Sequence, residues 1–202
     1  MDVPFPCADA SPRDKGHAMK SLTLLPSASL AWRRSASTPP DFELQGLQGV
    51  YATLAFLDRE QSLARIRTAE GTWTVKHLGL LNPVTTLREE GSPINLATFH
   101  PHALRHGKLE FLDGAVFDWA WLQEDRPGGA FLDEDGKPLV HLQAHPGRDL
   151  RSTGLETCDV DLDMSSAAHY RQALLAALGW YLIQLDHLKT RDEAAAETAL
   201  RL

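Results

Sequence analysis

The sequence predicts a mostly β chain: a closed antiparallel β-barrel of on the order of a dozen short strands, wrapped around one buried hydrophobic C-terminal helix. Three observations lead there. Short apolar-polar alternating runs, divided by Gly, Pro and Asp-Gly turn signals, fill most of the chain. Near the end, YRQALLAALGWYLIQLDHL (170–188) has no charged residue in the 14 positions between Arg171 and Asp186. A helix apolar all round must be sheathed, and this one, at roughly 21 Å, is too short to span a bilayer. A closed barrel sheathes such a helix and removes exposed sheet edges at the same time.

Composition sets the class. The chain has 202 residues, 43% hydrophobic and 23% charged, which suits one globular domain with a substantial core. A net charge of −7 argues against nucleic acid as the main partner. Cys7 and Cys158 make no metal-type spacing, so a reducing cytoplasm is the simplest setting.

The chain divides into an N-terminal extension (1–19), a single domain (20–188) containing the central helix (167–188), and a short helical tail (189–202). The first eighteen residues are rich in Pro, Asp and Gly and read as disordered. Met19, followed by Lys20 and an apolar run, is a candidate start of translation. Pro26, Ser27 and Ser29 cut that run short of a secretory h-region, so secretion is not expected.

The first β-like runs are SLTLL (21–25) and SLAWRR (29–34), split by Pro26. After Pro39-Pro40 come DFELQG, VYATLAFLD (50–58) and SLARIRT (62–68). In the last of these, Ala64, Ile66 and Thr68 oppose Leu63, Arg65 and Arg67. Gly71 turns into TWTVKHLG (72–79), with Trp73, Val75 and His77 on one face. PVTTLRE, PINLATF and KLEF follow. Asp113-Gly114 is the plainest hairpin signal, leading into AVFDWAWLQ with Phe117, Trp119 and Trp121 together on one face. AFLD, PLVHLQAH and LETCDVDLDM (155–164) complete the strands. Ser165 or Ser166 is placed to cap the helix, whose Leu174, Leu175, Leu178, Trp180, Leu182 and Ile183 form its apolar core. Burying those six side chains is worth on the order of 10 kcal/mol before entropy. After Lys189, Thr190 with Glu193 reads as a capping box that restarts a second, marginal helix.

LEFLDGAVFDWAWL (109–122), FLDEDGKPLV (131–140) and ALLAALGWYLIQL (173–185) together resemble the tubby C-terminal-like group, which includes phospholipid scramblases and plant LURP-one-related proteins. In that group a closed barrel wraps one hydrophobic helix at or near the C-terminus. The resemblance implies a membrane-facing or phosphoinositide-binding role through a basic exterior patch. The nearest counterparts of such a patch are Arg65 and Arg67, which share a strand face, and Lys76, close in sequence. The calcium-binding and membrane-spanning segments of scramblases have no counterpart here.

Other clusters carry chemistry or read as scaffold. His100, His102 and His106 lie close enough to share a metal, although Pro101 and Gly107 place them in a loop, where incidental surface histidines are favoured. His141 (on a strand), His145 (in a turn) and His187 read as structural. Asp159, Asp161 and Asp163 share one strand face, which suits a divalent ion or acid-base work. The outer face of a strand whose Val160, Leu162 and Met164 point inward accounts for all six residues. DEDG (133–136) lacks the rest of a calcium loop and reads as a solvated turn. No nucleophile elbow or phosphate loop is present, and Cys158 has no basic activator nearby in sequence.

The expectation is therefore a non-enzymatic binding module with no catalytic residues and no cofactor. It is cytoplasmic and membrane-peripheral, with an anionic lipid head group or another protein as partner. The alternatives are a small metal-dependent hydrolase built on the Asp or His cluster, and a scaffold subunit of a larger complex.

Overall fold

A computed structural model describes residues 19–22, 29–35, 40–79, 82–102, 106–122, 127–146, 154–165 and 171–199, the side chains of Pro146 and Thr198 apart. The expected N-terminal extension, residues 23–25 of the first run, and Ser166 as a helix cap lie outside the described residues. Alternation in the chain produces twelve strands: β1 (Leu30–Arg34), β2 (Asp41–Gly46), β3 (Gly49–Phe56), β4 (Leu63–Thr68), β5 (Gly71–Leu78), β6 (Val84–Glu89), β7 (Asn95–His102), β8 (His106–Phe111), β9 (Val116–Trp121), β10 (Gly128–Leu132), β11 (Pro138–Pro146) and β12 (Leu155–Leu162). Each pairs antiparallel with its neighbour in sequence, and β1 closes on β12. The closed barrel around one C-terminal helix is the expected fold.

Inward positions follow the period of two. Phe42 and Leu44, Leu54 and Phe56, Ala64 and Ile66, Trp73 and Val75 are buried, with the less buried Glu43, Ala55, Arg65 and Thr74 between them. Four register shifts interrupt this order, at Leu44/Gln45, Leu87/Arg88, Phe131/Leu132 and His145/Pro146. They leave Tyr51, Leu96, Leu139 and Glu156 as extra residues in their strands. Such bulges bend a strand at a barrel rim. They let Tyr51 be buried beside Ala52, and Leu139 beside Val140, where strict alternation would expose one of each pair.

The helix α1 (Gln172–Ala199) runs through the lumen. All of Gln172–Leu185 is buried, and Leu175, Leu178, Trp180 and Ile183 are at most 1% exposed. Trp180 meets Phe42 edge-on at 5.3 Å, and Tyr181 stacks on Phe56 at 5.8 Å. Gly179 marks a close approach. A side chain there would start 2.8 Å from Leu142 and 3.1 Å from Trp119. Gly129 makes room for the same indole, so Trp119 packs closely against both a strand glycine and a helix glycine. The isolated helix breaker in the sequence is thus a packing residue.

The helix enters beside the β8–β9 turn, where the Arg171 guanidinium lies 4.2 Å from the Phe111 ring centre and pairs with Asp113. At the entry Ser165 bonds to Asp163 Oδ1 through both its N–H and its hydroxyl, and Gln172 Nε2 donates to Asp163 O, 2.5 Å away. The helix leaves at the opposite end. There Tyr181 Oη donates to Ser62 O (2.9 Å) and Gln184 Nε2 to Leu155 O (3.1 Å).

One expectation is corrected. The tail is no second helix, because α1 continues unbroken through Lys189 to Ala199, and Thr190 Oγ1 donates to Asp186 O (3.0 Å) instead of capping a new start. A helix already nucleated inside the barrel adds residues without a new nucleus. The described part of the central helix starts at Gln172, and its expected beginning at 167 lies outside the described residues.

Candidate functional site

Because α1 fills the lumen, the barrel's exterior is the first place to seek recognition chemistry. On β4 the inward Ala64, Ile66 and Thr68 turn Arg65 and Arg67 outward. On β5 the inward Trp73 and Val75 turn Thr72, Thr74 and Lys76 outward, and on β6 Thr85 and Leu87 do the same for Thr86 and Arg88. Register then assembles them. Thr74 stands opposite Arg65 on one side and Arg88 on the other, while Lys76 stands between Leu63 and Thr86. Arg65 and Arg88 are thus two strands apart in one row, about 10 Å.

Among the outward positions of these three strands are four cations and no carboxylate. An acid reaches this face from the β6–β7 turn, where Glu90 Oε1 forms an ion pair with Arg65, 2.9 Å from its Nε. Arg88 Nε donates to Asn95 Oδ1 at 2.6 Å, which holds its guanidinium along the sheet surface. The structure therefore brings the three expected residues, Arg65, Arg67 and Lys76, onto one face and adds Arg88. No sequence signal located Arg88, because its place depends on the register of two successive hairpins.

Six strands around the ring from β5, in either direction, stands β11. Its outward His141, Gln143 and His145 lie against Asp161 and Asp159 of β12. His145 Nε2 and Asp159 Oδ2 are 2.8 Å apart, His141 Nδ1 and Asp161 Oδ2 3.6 Å. The outward positions of β10, β11 and β12 include no lysine or arginine. The β4–β6 face thus carries a group of four cations, and the β11–β12 face a His-Asp row. His145, expected in a turn, is on β11 because the β11–β12 ladder runs on past it to Pro146 and Leu155.

Asp159 and Asp161 face outward as the alternation implies, with Val160 buried and Leu162 and Met164 partly buried against the core. Asp163 bonds Lys137 at 2.6 Å, and that bond, followed by the Ser165 hydrogen bonds, draws its carboxyl down to about 2. The three carboxylates therefore have three different partners. The DEDG turn is closed by Asp133 Oδ1, which accepts from the backbone N–H groups of Asp135 (3.0 Å) and Lys137 (2.8 Å).

The histidines expected in a loop sit on a hairpin. β7 runs through His102 and β8 begins at His106, with His100 paired to Lys108, Pro101 to Gly107 and His102 to His106. Pro101 and Gly107 read as breakers, yet they face each other near the hairpin end. His102 and His106 are exposed neighbours. Among the described residues no three His, Cys, Asp or Glu side chains converge as metal ligands. Cys158 is buried, and burial pushes its thiol well above the ordinary range, against any nucleophilic role.

A second polar group rings the helix exit. Ser62 Oγ donates to Asp58 Oδ2 (2.5 Å), and Asp58 Oδ1 accepts from the Leu63 N–H (3.1 Å). His77 Nδ1 is 3.1 Å from Thr85 Oγ1, and its Nε2 is 3.1 Å from Lys189 Nζ. Burial first and the Lys189 charge second bring His77 down to about 4, so the ring is neutral and accepts the lysine proton. Burial pushes the Tyr181 phenol above its usual range, and the Asp58 charge adds to it. These bonds fasten the helix to the rim. No family model, no curated protein and no solved structure matches this chain.

Proposed function

We propose that this chain is a non-enzymatic, tubby-like binding module that recognises an anionic, phosphorylated head group at the cytoplasmic surface of a membrane. The observation that carries the reading is the uneven charge of the barrel wall. A chain of net charge −7 puts four cations and no acid on the outward positions of β4–β6. Arg65, Arg67 and Arg88 offer planar donors to phosphate oxygens, and Lys76 adds a mobile point charge. Thr72 and Thr74 between them supply hydroxyls at sheet height. The filled lumen supports an exterior site. Among the described residues no helix is long and apolar enough to cross a membrane, which agrees with a peripheral mode of attachment. The strand order before a single long C-terminal helix agrees with the tubby-like resemblance drawn from 109–122, 131–140 and 173–185.

Liposome co-sedimentation tests the reading, with phosphatidylcholine vesicles compared with vesicles that also contain a phosphoinositide. Binding to the anionic vesicles alone at low salt, lost at high salt, is expected. The Arg65→Glu/Arg88→Glu double variant should lose that binding while melting as the wild type does. Equal binding to both vesicle types, no binding at low salt, or full binding by the double variant would refute the proposal.

A further inference from the structure

Where α1 enters, the barrel is not completely filled. A cavity of about 190 Å³ opens there, with Trp73, Leu96, Phe111 and Leu174 as its apolar walls. Its trace is visible in the walls themselves: Trp73 keeps 9% of its exposure, Phe111 and Leu174 6%, whereas Leu175, Leu178 and Trp180, further along the helix, keep 1% or less. The volume is somewhat larger than the ~150 Å³ apolar cavity that stays dry and takes up a benzene ring. The apolar surface continues outward. The Leu112 N–H donates to Leu96 O at 2.8 Å, and Leu112 and Ile94, on adjacent turns, are 71% and 59% exposed.

The polar groups at this cavity are already engaged. Thr68, Glu70 and Arg171 complete its lining. Thr68 Oγ1 donates to Glu70 Oε2 at 2.5 Å and accepts from the Glu70 N–H at 3.1 Å. Glu70 Oε1 accepts from Ser21 Oγ at 2.8 Å. Arg171 pairs with Asp113 and lies over the Phe111 ring, 4.2 Å from its centre. One carboxylate and one guanidinium leave the lining with no net charge. A ligand ion would give up its hydration to meet groups that already have partners, at a net cost. A neutral apolar ligand gives up nothing of the kind, and it covers wall surface that water now touches.

We infer that the entry mouth is a binding site for a small neutral aromatic molecule, of the size of benzene or toluene. The ring lies between Trp73, Leu96, Phe111 and Leu174, and contact with these walls holds it. A rigid ring fills the space without the loss of internal rotation that a flexible chain of equal volume suffers. Ile94 and Leu112 give it an apolar approach. The walls belong to the barrel interior, so the site is separate from the outward cations of β4–β6 and does not rest on their proposed role.

Isothermal calorimetry on the full chain tests this with toluene, and with benzoate and benzylamine as charged analogues of nearly the same size. Saturable one-to-one binding of toluene, at least tenfold tighter than either ion, is expected. Benzene, smaller by one methyl, should bind about fourfold more weakly. Toluene protons should show nuclear Overhauser contacts to the methyls of Leu96 and Leu174, which places the ligand without any substitution. Leu96→Trp should abolish binding by filling the cavity. Should that variant fail to melt cooperatively, the Overhauser contacts in the wild type decide instead. Absence of saturable toluene binding to the wild type at millimolar concentration would overturn the inference. So would benzoate or benzylamine binding as tightly as toluene, toluene contacts confined to other leucines, or full toluene binding by a folded Leu96→Trp.

Discussion

The two halves of α1 share one continuous backbone and almost nothing else. From Gln172 to Leu185 every side chain is buried and none is charged, and the two glutamines each donate to a backbone carbonyl, Asp163 O and Leu155 O. From Lys189 to Glu197 every side chain is exposed, and Lys189, Arg191, Asp192, Glu193 and Glu197 are all charged. The inner half is helical because the barrel removes it from water, where every backbone group must bond within the segment. The outer half is helical because it extends an existing helix with alanines and other good helix formers. One element thus shows tertiary and local stabilisation side by side, and substitutions can tell them apart.

The largest effect belongs to the inner half. Leu178 is 1% exposed amid the lumen. Leu178→Asp removes a buried leucine and leaves a carboxyl there without a partner, which even when neutralised costs about 5 kcal/mol or more, comparable to the 5–15 kcal/mol stability typical of a domain. The variant should give no soluble, cooperatively melting protein. A cooperative thermal transition from it would end the buried-helix account. A smaller loss is expected from Gly179→Val, whose side chain would meet Leu142 and the Trp119 ring. Overpacking of that kind costs about 1–3 kcal/mol. Urea denaturation would read it as a lower midpoint with an unchanged slope.

Much of the inner half was legible in the sequence, and for a physical reason. A charge-free run of 14 residues has few ways to be soluble, and the alternation of LARIRT or DFELQG states directly which side chains face in. What depends on three-dimensional register was not legible. Arg88 joins Arg65 only because β4–β5 and β5–β6 pair as they do. The bulge at Leu96 is likewise a matter of register, which no periodicity announces. The outer half misled through a local signal: Thr190 and Glu193 have the spacing of a capping box, but inside a continuing helix there are no unsatisfied N–H groups for Thr190 to cap. Pro101 and Gly107 misled in the same way, as breakers placed where the hairpin tolerates them.

At the junction of the halves, acid should discriminate. His77 is held near 4, against an ordinary value near 6.5, by burial and by Lys189. As pH falls through 6.5 the unfolded chain takes up this proton and the folded chain does not, until about 4. The contribution is therefore intact above 6.5 and is lost progressively between 6.5 and 4. At full weight a shift of this size is about 3 kcal/mol, and solvent screening of a half-buried ring reduces it to about 1–2 kcal/mol. Thermal melts at several pH values should show that slope in the wild type and a flatter one in His77→Gln. Lys189→Ala should shorten the window from its acid side by removing the second cause and leaving the first. Identical slopes in all three proteins would detach His77 from the helix exit.

The smallest expected effect is the most diagnostic, because it uses one substitution twice. Ala177 is fully buried in the lumen and Ala195 is exposed in the projecting turns. Alanine to glycine in a helix interior costs about 1 kcal/mol at either place by propensity alone. Inside the barrel the loss of a packed methyl adds about 1 kcal/mol more, and the penalty falls on the global unfolding reaction because the helix cannot fray without emptying the lumen. Outside, the helix unwinds locally beyond the glycine and the barrel is untouched. Ala177→Gly should therefore cost about 2 kcal/mol in urea denaturation, and Ala195→Gly less than about 0.5 kcal/mol. Ala195→Gly should still reduce helical ellipticity and speed amide exchange in the residues after Lys189, since local opening is what it promotes. Equal global costs would mean that the outer half is packed against something after all, and the contrast between the two halves would then vanish.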